Sequence, residues 1–160
     1  MTDTFTLAIS FVLAKEGGLS DDAGDPGGLT NFGLTTQDVP DPTKLTRDQA
    51  ISIYQTRYWL KCQCDKLPPA LAVMHFDAAV NEGPGAAAKF LQQAVGVTVD
   101  GVVGPKTLAA ADAADWHEAL VEYAARRGVQ YASLDGRSPQ FELGWQRRLM
   151  ACLALAITLV

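Results

Sequence analysis

The sequence predicts a mainly α-helical fold with about seven helices and one short, glycine-rich β-hairpin after the first helix. Three observations support this fold class. Apolar residues recur at helical spacing along most of the chain. Capping side chains or prolines stand where these apolar stretches begin. The sequence has no internal repeat of about 20 to 50 residues, which would indicate a solenoid or a propeller.

The first helix is predicted near the amino terminus, where apolar residues fall at helical spacing from Phe5 to Leu13. No basic segment precedes this run and no small-residue cleavage site follows it, so we do not expect an export signal. A glycine-rich stretch continues to about residue 36 and is expected to contain the hairpin. The second helix is predicted to begin at Thr46, because Gln49 stands three residues later, as in a capping box.

The remaining helices are predicted from the residues that open them. These residues are prolines, glycines or side chains that cap a helix: Pro68 and Pro69, Gly85, Gly104 and Pro105, Asp115, and Ser138 with Pro139. A Gly-Pro-Gly break at residues 83–85 divides the chain. Residues 1–83 and residues 84–160 are therefore expected to form two halves that pack together, since no Ser/Pro-rich linker joins them.

The charge and the cysteine content argue against several classes of function. The net charge is −5 and no strong cluster of lysine and arginine is present, so we do not expect a nucleic-acid partner. The three cysteines are odd in number, and Cys62 and Cys64 are too close for an unstrained disulfide, which favours folding in a reducing cytoplasm. These two cysteines with His75 and Asp77 lack the paired spacings of a zinc site. We expect neither a metal nor an organic cofactor.

Acidic residues collect in the stretch AKEGGLSDDAGDPGGLTNFGLT, residues 14–35. Glu16 ends the first helix, Asp25 lies nine residues later in a Gly/Pro turn, and Thr30 follows. Hydrolysis of a glycosidic bond needs a protonated carboxyl at the leaving oxygen and a second group that positions water or stabilises positive charge. Glu16 and Asp25 suit these two roles. The alternative is an ordinary polar surface turn; a calcium loop is not indicated, because the ligand spacing is missing.

The segment FVLAKEGGLSDDAGDPGGLTNFGLT resembles the opening of glycoside hydrolase family 108, the lysozyme-like N-acetylmuramidases of phages and bacteria. The resemblance continues through LTRDQAISIYQTRYW, CDKLPPALAVMHFDAAVNEGPGAA, FLQQAVGVTVDGVVGPKTL, ARRGVQYASL and FELGWQRRL, and so covers almost the whole chain. It implies a lysozyme-like fold and cleavage of the β-1,4 bond between N-acetylmuramic acid and N-acetylglucosamine in peptidoglycan. In that family the glutamate of the E-G-G motif is the catalytic acid, which implies this role for Glu16.

Phage-type lysozymes more broadly have an aspartate and a threonine after this glutamate. Asp25 matches the aspartate in spacing, whereas Thr30 comes one residue early, which leaves its role open. The segment that contains Asn81 and Glu82 resembles part of the family's cleft floor, so this pair either binds sugar hydroxyls or caps its helix. Glu82 is the substitute for the second carboxylate if Asp25 is inert.

The C-terminal half carries two further features. Residues 90–108 resemble the peptidoglycan-binding repeats of wall hydrolases, which implies a supporting role in wall binding. Residues 149–160 are nearly all apolar but are short of the ~20 residues needed to cross a bilayer. We expect a core helix there; the alternative is membrane contact, in which Arg147 and Arg148 would meet anionic head groups.

The resemblance implies a peptidoglycan hydrolase, which we expect to be a monomer. Without an export signal, a phage endolysin or a prophage enzyme would accumulate in the host bacterial cytoplasm and reach the wall through a holin or another signal-independent release. Two alternatives stay open. One is a catalytically inactive peptidoglycan-binding or secretion-accessory protein, and the other is a lytic transglycosylase, which needs the acid but no aspartate that positions water.

Overall fold

The computed structural model describes residues 3–17, 20–21, 29–133 and 139–160. These residues form seven α-helices, as the sequence predicts: α1 (Thr4–Glu16), α2 (Arg47–Tyr54), α3 (Pro69–Glu82), α4 (Pro84–Ala94), α5 (Pro105–Ala113), α6 (Trp116–Ala132) and α7 (Pro139–Ile157). Three short segments link them: a 3-10 turn at Pro42–Lys44, a π-helical continuation of α2 at Gln55–Leu60, and a 3-10 turn at Cys64–Lys66. The fold is mainly α.

A small antiparallel sheet lies between α1 and α2. Its strands, in the order β1–β2–β3, are β1 (Ser20–Asp21), β2 (Leu29–Asn31) and β3 (Leu34–Thr35). The β1–β2 pair is the predicted hairpin, and the sheet also has a third strand. This strand forms because Phe32 and Gly33, with φ of 52° and 74°, reverse the chain in a two-residue turn that needs positive φ at both positions.

The predicted helix caps at Thr46 and Asp115 are confirmed. The hydroxyl of Thr46 accepts a hydrogen bond from the backbone N–H of Gln49, and the Gln49 side chain accepts one from the backbone N–H of Thr46. The side chain of Asp115 accepts from two backbone N–H groups of α6. The cap predicted at Ser138 lies outside the described residues. These caps satisfy N–H groups that a helix start leaves without partners.

Helix α3 is the central element of the core. All ten residues from Ala70 to Ala79 are buried, and α3 packs against α1, α4, α6 and α7. The ring of Phe76, which belongs to α3, packs against the rings of Phe5 and Trp59, with centroids 5.3 to 6.0 Å apart. A polar side chain on such an enclosed helix needs a partner within the protein, because water cannot reach it. Asp77 is a charged residue in the buried part of α3, so this requirement applies to it.

The apolar end of α7 belongs to the core. Leu149, Cys152 and Ala156 are buried, and α7 packs against α3 and α6. No helix among the described residues is long and apolar enough to cross a membrane. The burial of Leu149, Cys152 and Ala156 agrees with the predicted core helix. The apolar side chains serve to join α7 to the central helix.

Candidate functional site

Glu16 stands at the junction of helix and sheet. It is the last residue of α1, and its side chain is 21% exposed. Gly17, which follows, has a φ of 78°, a conformation that favours glycine and ends the helix. The carboxyl group therefore lies between the interior and solvent.

The turn between β2 and β3 lies directly against Glu16. A Cβ atom added at Gly33 would lie 2.7 Å from Oε2 of Glu16 and 2.8 Å from its Cβ, so the close approach requires glycine. The hydroxyl of Tyr54 donates a hydrogen bond to the backbone carbonyl of Phe32 at 2.9 Å, which ties the turn to α2. Burial, and to a smaller extent the charge of Glu16, raise the pKa of Tyr54 well above its ordinary value, so this hydroxyl stays a donor.

Arg148 of α7 forms an ion pair with one oxygen of the Glu16 carboxylate. Its Nη1 donates a hydrogen bond to Oε1 of Glu16 at 2.7 Å, and its Nε donates one to Oδ1 of Asp77 at 2.9 Å. The Arg148 side chain is only 11% exposed. Burial by itself would lower the pKa of Arg148, but the neighbouring carboxylates of Asp77 and Glu16 raise it above its ordinary value. The guanidinium therefore stays charged.

Ion pairs continue from Asp77 into the interior. Oδ2 of Asp77 accepts a hydrogen bond from Nη2 of Arg127 at 2.8 Å, and Nε of Arg127 donates one to Oε1 of Glu82 at 2.7 Å. We refer to Glu16, Arg148, Asp77, Arg127 and Glu82 as the charge chain. Its charges alternate in sign from one residue to the next. Each buried charge therefore has an opposite charge beside it, which offsets part of the cost of removing it from water.

Tyr131 and Asn81 close the inner end of the charge chain. The hydroxyl of Tyr131 donates a hydrogen bond to Oε1 of Glu82 at 2.8 Å. The same hydroxyl accepts hydrogen bonds from Nδ2 of Asn81 at 2.7 Å and from Nη2 of Arg127 at 3.1 Å. Burial would lower the pKa of Arg127, but Asp77 and Glu82 raise it well above its ordinary value. Arg127 therefore stays charged although its side chain is fully buried.

The structure separates the predicted site residues into two groups. Glu16 lies against the sheet, and the partly buried Thr30 lies on β2, the strand that leads into the turn at Glu16. Asp25 lies outside the described residues. Asn81 and Glu82 lie at the end of α3, where the Glu82 side chain is 5% exposed and held by an arginine of α6. Glu82 is thus turned inward, while sugar binding by Asn81 stays a prediction.

The sequence interpretation missed Asp77, Arg127 and Arg148 as parts of the site. The sequence pattern could have indicated Asp77, because an acidic residue within an apolar helix needs a partner inside the protein. Its partners do not follow from the pattern, since Arg127 and Arg148 lie 50 and 71 residues further along the chain. Arg148 faces two carboxylates rather than lipid head groups, which corrects the alternative considered for it.

His75 is a core residue. It is 0% exposed, and its Nδ1 lies 3.0 Å from the hydroxyl of Tyr123. Burial lowers the pKa of His75 to about 4, so the ring is neutral. Nearby Cys62 and Cys64 are buried free thiols. Within the part of the chain that the structure describes, no three His, Cys, Asp or Glu side chains are grouped so that they could hold a metal ion.

Comparison with known proteins gives two family matches and a similar solved structure. Residues 9–83 match the family described as Glycosyl hydrolase 108, and residues 86–150 match the one described as Predicted Peptidoglycan domain. The structure of SagA from Brucella abortus is similar over 98% of this chain and 95% of its own, with 34% sequence identity and a TM-score of 0.88. No curated protein sequence matches the chain.

Replacing Asp77 by Asn should destabilise the protein strongly. The substitution removes the negative charge shared by Arg127 and Arg148, and breaking a buried ion pair in this way costs about 3 to 5 kcal/mol. The free energy of unfolding is measured with a chemical denaturant. The matched control is Glu122→Gln, which removes an exposed pair with Arg126 and should cost less than about 1 kcal/mol. Equal losses in the two variants would contradict the importance given to Asp77.

Replacing Gly33 by Ala should cost more stability than the same change at Gly96. Both residues have positive φ, 74° and 69°, so both variants carry the same kind of backbone strain. Only the new methyl group at position 33 meets Glu16, whereas the space at position 96 is open. We expect a further loss of about 1 to 3 kcal/mol from this overpacking. Denaturant unfolding of both variants measures it, and no difference between them would show that the turn does not confine Glu16.

Proposed function

Because the chain belongs to the glycosyl hydrolase 108 family, we propose that it hydrolyses the β-1,4 bond between N-acetylmuramic acid and N-acetylglucosamine in bacterial peptidoglycan. The glycosyl hydrolase match and the peptidoglycan match together support a lysozyme-like function in peptidoglycan degradation. The mainly helical, lysozyme-like fold agrees with that function.

The confinement of Glu16 is the observation that carries its proposed role as the general acid. Its carboxyl group is partly exposed, yet it is confined by Gly33 and by Arg148. A fixed carboxyl can be placed at a glycosidic oxygen without a further loss of side-chain freedom during the reaction. Since Oε1 accepts the hydrogen bond of Arg148, the proton that is transferred is expected on Oε2.

In the proposed reaction, Glu16 gives its proton to the glycosidic oxygen as the bond from that oxygen to the anomeric carbon breaks. Asp25, with Thr30, positions the attacking water or stabilises the positive charge that develops on the sugar. The water supplies a hydroxyl group to the anomeric carbon, and its other proton is taken up by a carboxylate. The products are two shorter glycan strands, one of which ends in a reducing N-acetylmuramic acid.

We assign the chemistry to residues 1–83 and a supporting role in wall binding to residues 84–160. The resemblance of residues 90–108 to peptidoglycan-binding repeats supports the second assignment. With a net charge of −5, the protein gains no general attraction to an anionic wall. Binding would therefore depend on specific contacts to sugars and peptides.

Replacing Glu16 by Gln should abolish cleavage of purified peptidoglycan. The amide keeps the size of the side chain but has no proton to give, and loss of a general acid lowers a rate by about 10² to 10⁴. Mass spectrometry of the released fragments measures the rate and identifies the new ends. The wild type should give reducing N-acetylmuramic acid, and the control Glu122→Gln, an exposed residue of α6, should behave like it.

Three other outcomes would overturn parts of this proposal. Products that are one water lighter would identify a transglycosylase. Equal cleavage by the wild type and by a folded Glu16→Gln variant would place the acid elsewhere. Sedimentation of the wild type with peptidoglycan, without any fragments, would identify a wall-binding protein with no catalytic activity.

Replacing Asp25 by Asn should reduce cleavage by about 10²-fold or more, the range for a catalytic carboxylate. Replacing Glu82 by Gln should act differently, because this residue is enclosed in the charge chain. The Glu82 variant should lose stability, with little change in kcat at temperatures where it stays folded. Thermal unfolding and fragment release are measured for both variants. Loss of kcat in a fully folded Glu82→Gln protein, with normal activity of Asp25→Asn, would reverse these two roles.

A further inference from the structure

Arg148 joins two carboxylates that belong to different parts of the fold. Its Nη1 contacts Glu16 at the end of α1, and its Nε contacts Asp77 in the middle of α3. Its Nη2 is buried and has no hydrogen-bond partner among the described residues. A guanidinium presents its donors in a rigid plane, so the two contacts fix the position of the Glu16 carboxylate relative to α3.

We propose that Arg148 is a positioning residue for Glu16, and that the C-terminal half of the chain thereby completes the catalytic centre. The inference depends on the proposed role of Glu16 as the general acid. Glu16, Asp77 and Glu82 lie within residues 9–83, whereas Arg127 and Arg148 lie within residues 86–150. The charge chain therefore alternates between the two matched regions, and neither region can build it alone.

The inner part of the charge chain makes Arg148 a rigid support. An exposed arginine loses much side-chain entropy when it holds a single geometry, which is why surface pairs contribute little. Arg148 is mostly buried and is fixed by Asp77, which is itself held by the fully enclosed Arg127. The position of the Arg148 guanidinium is therefore fixed by contacts within the protein, whether or not substrate is bound.

The test compares Arg148→Met with Arg147→Met, because Arg147 is the exposed neighbour on the same helix. Cleavage of purified peptidoglycan is measured from pH 4 to 9, with folding checked by circular dichroism. We expect kcat of Arg148→Met to fall about 10²-fold at the pH optimum, the effect of a misplaced catalytic group, with KM changed less than about threefold. Arg147→Met should match the wild type.

A folded Arg148→Met protein with the wild-type kcat would overturn the proposal. Arg148→Lys covers the case in which the methionine variant does not fold. Lysine keeps the charge but cannot bridge two carboxylates in a plane, so kcat should fall in this variant too. A wild-type kcat in folded Arg148→Lys would likewise contradict a positioning role.

A second readout, which needs no activity, separates this proposal from the proposed reaction. Crystal structures of Arg148→Met and Arg147→Met are compared with that of the wild type for the position of the Glu16 side chain. The carboxyl group should leave its place beside Gly33 in Arg148→Met and keep it in Arg147→Met. Inactivity of the wild type with this displacement present would reject the reaction alone. A Glu16 carboxyl group that stays in place in Arg148→Met would reject the role of Arg148.

Discussion

Asp77 is a negative charge enclosed at the centre of the fold, and the surrounding structure has to neutralise it. Its two oxygens accept hydrogen bonds from Arg127 of α6 and Arg148 of α7. This requirement fixes both helices against α3. It also leaves Arg148 with a second donor directed at Glu16, so the position of the candidate acid follows from a constraint in the core.

A buried ion pair is weak evidence for stability, since well-packed apolar residues often serve a core equally well. The charge chain is better explained by what it connects. Its outer end is a partly exposed carboxyl at the sheet, and its inner end is enclosed by Tyr131 and Asn81. Such an arrangement keeps a carboxyl group at a fixed place beside solvent, which an apolar core cannot do.

Local patterns allowed most of the fold to be predicted. The capping box at Thr46 and the cap at Asp115 depend on residues close in sequence, and both are present. The third strand was harder to predict, because Phe32 is an uncommon residue at positive φ. The E-G-G motif indicated Glu16 as the candidate acid, but no motif indicated Arg148 as its partner. The pair spans 132 positions, and no periodicity or spacing rule links residues that far apart.

The central claim is that a glutamate held by Arg148 gives its proton to a glycosidic oxygen. A crystal structure of the Glu16→Gln protein with a bound peptidoglycan fragment tests this most directly. The account predicts that the side-chain amide at position 16 lies within about 3 Å of the glycosidic oxygen. It also predicts that Arg148 still bridges this side chain and Asp77. A glycosidic oxygen out of reach of position 16, or an Arg148 turned away from it, would contradict the account.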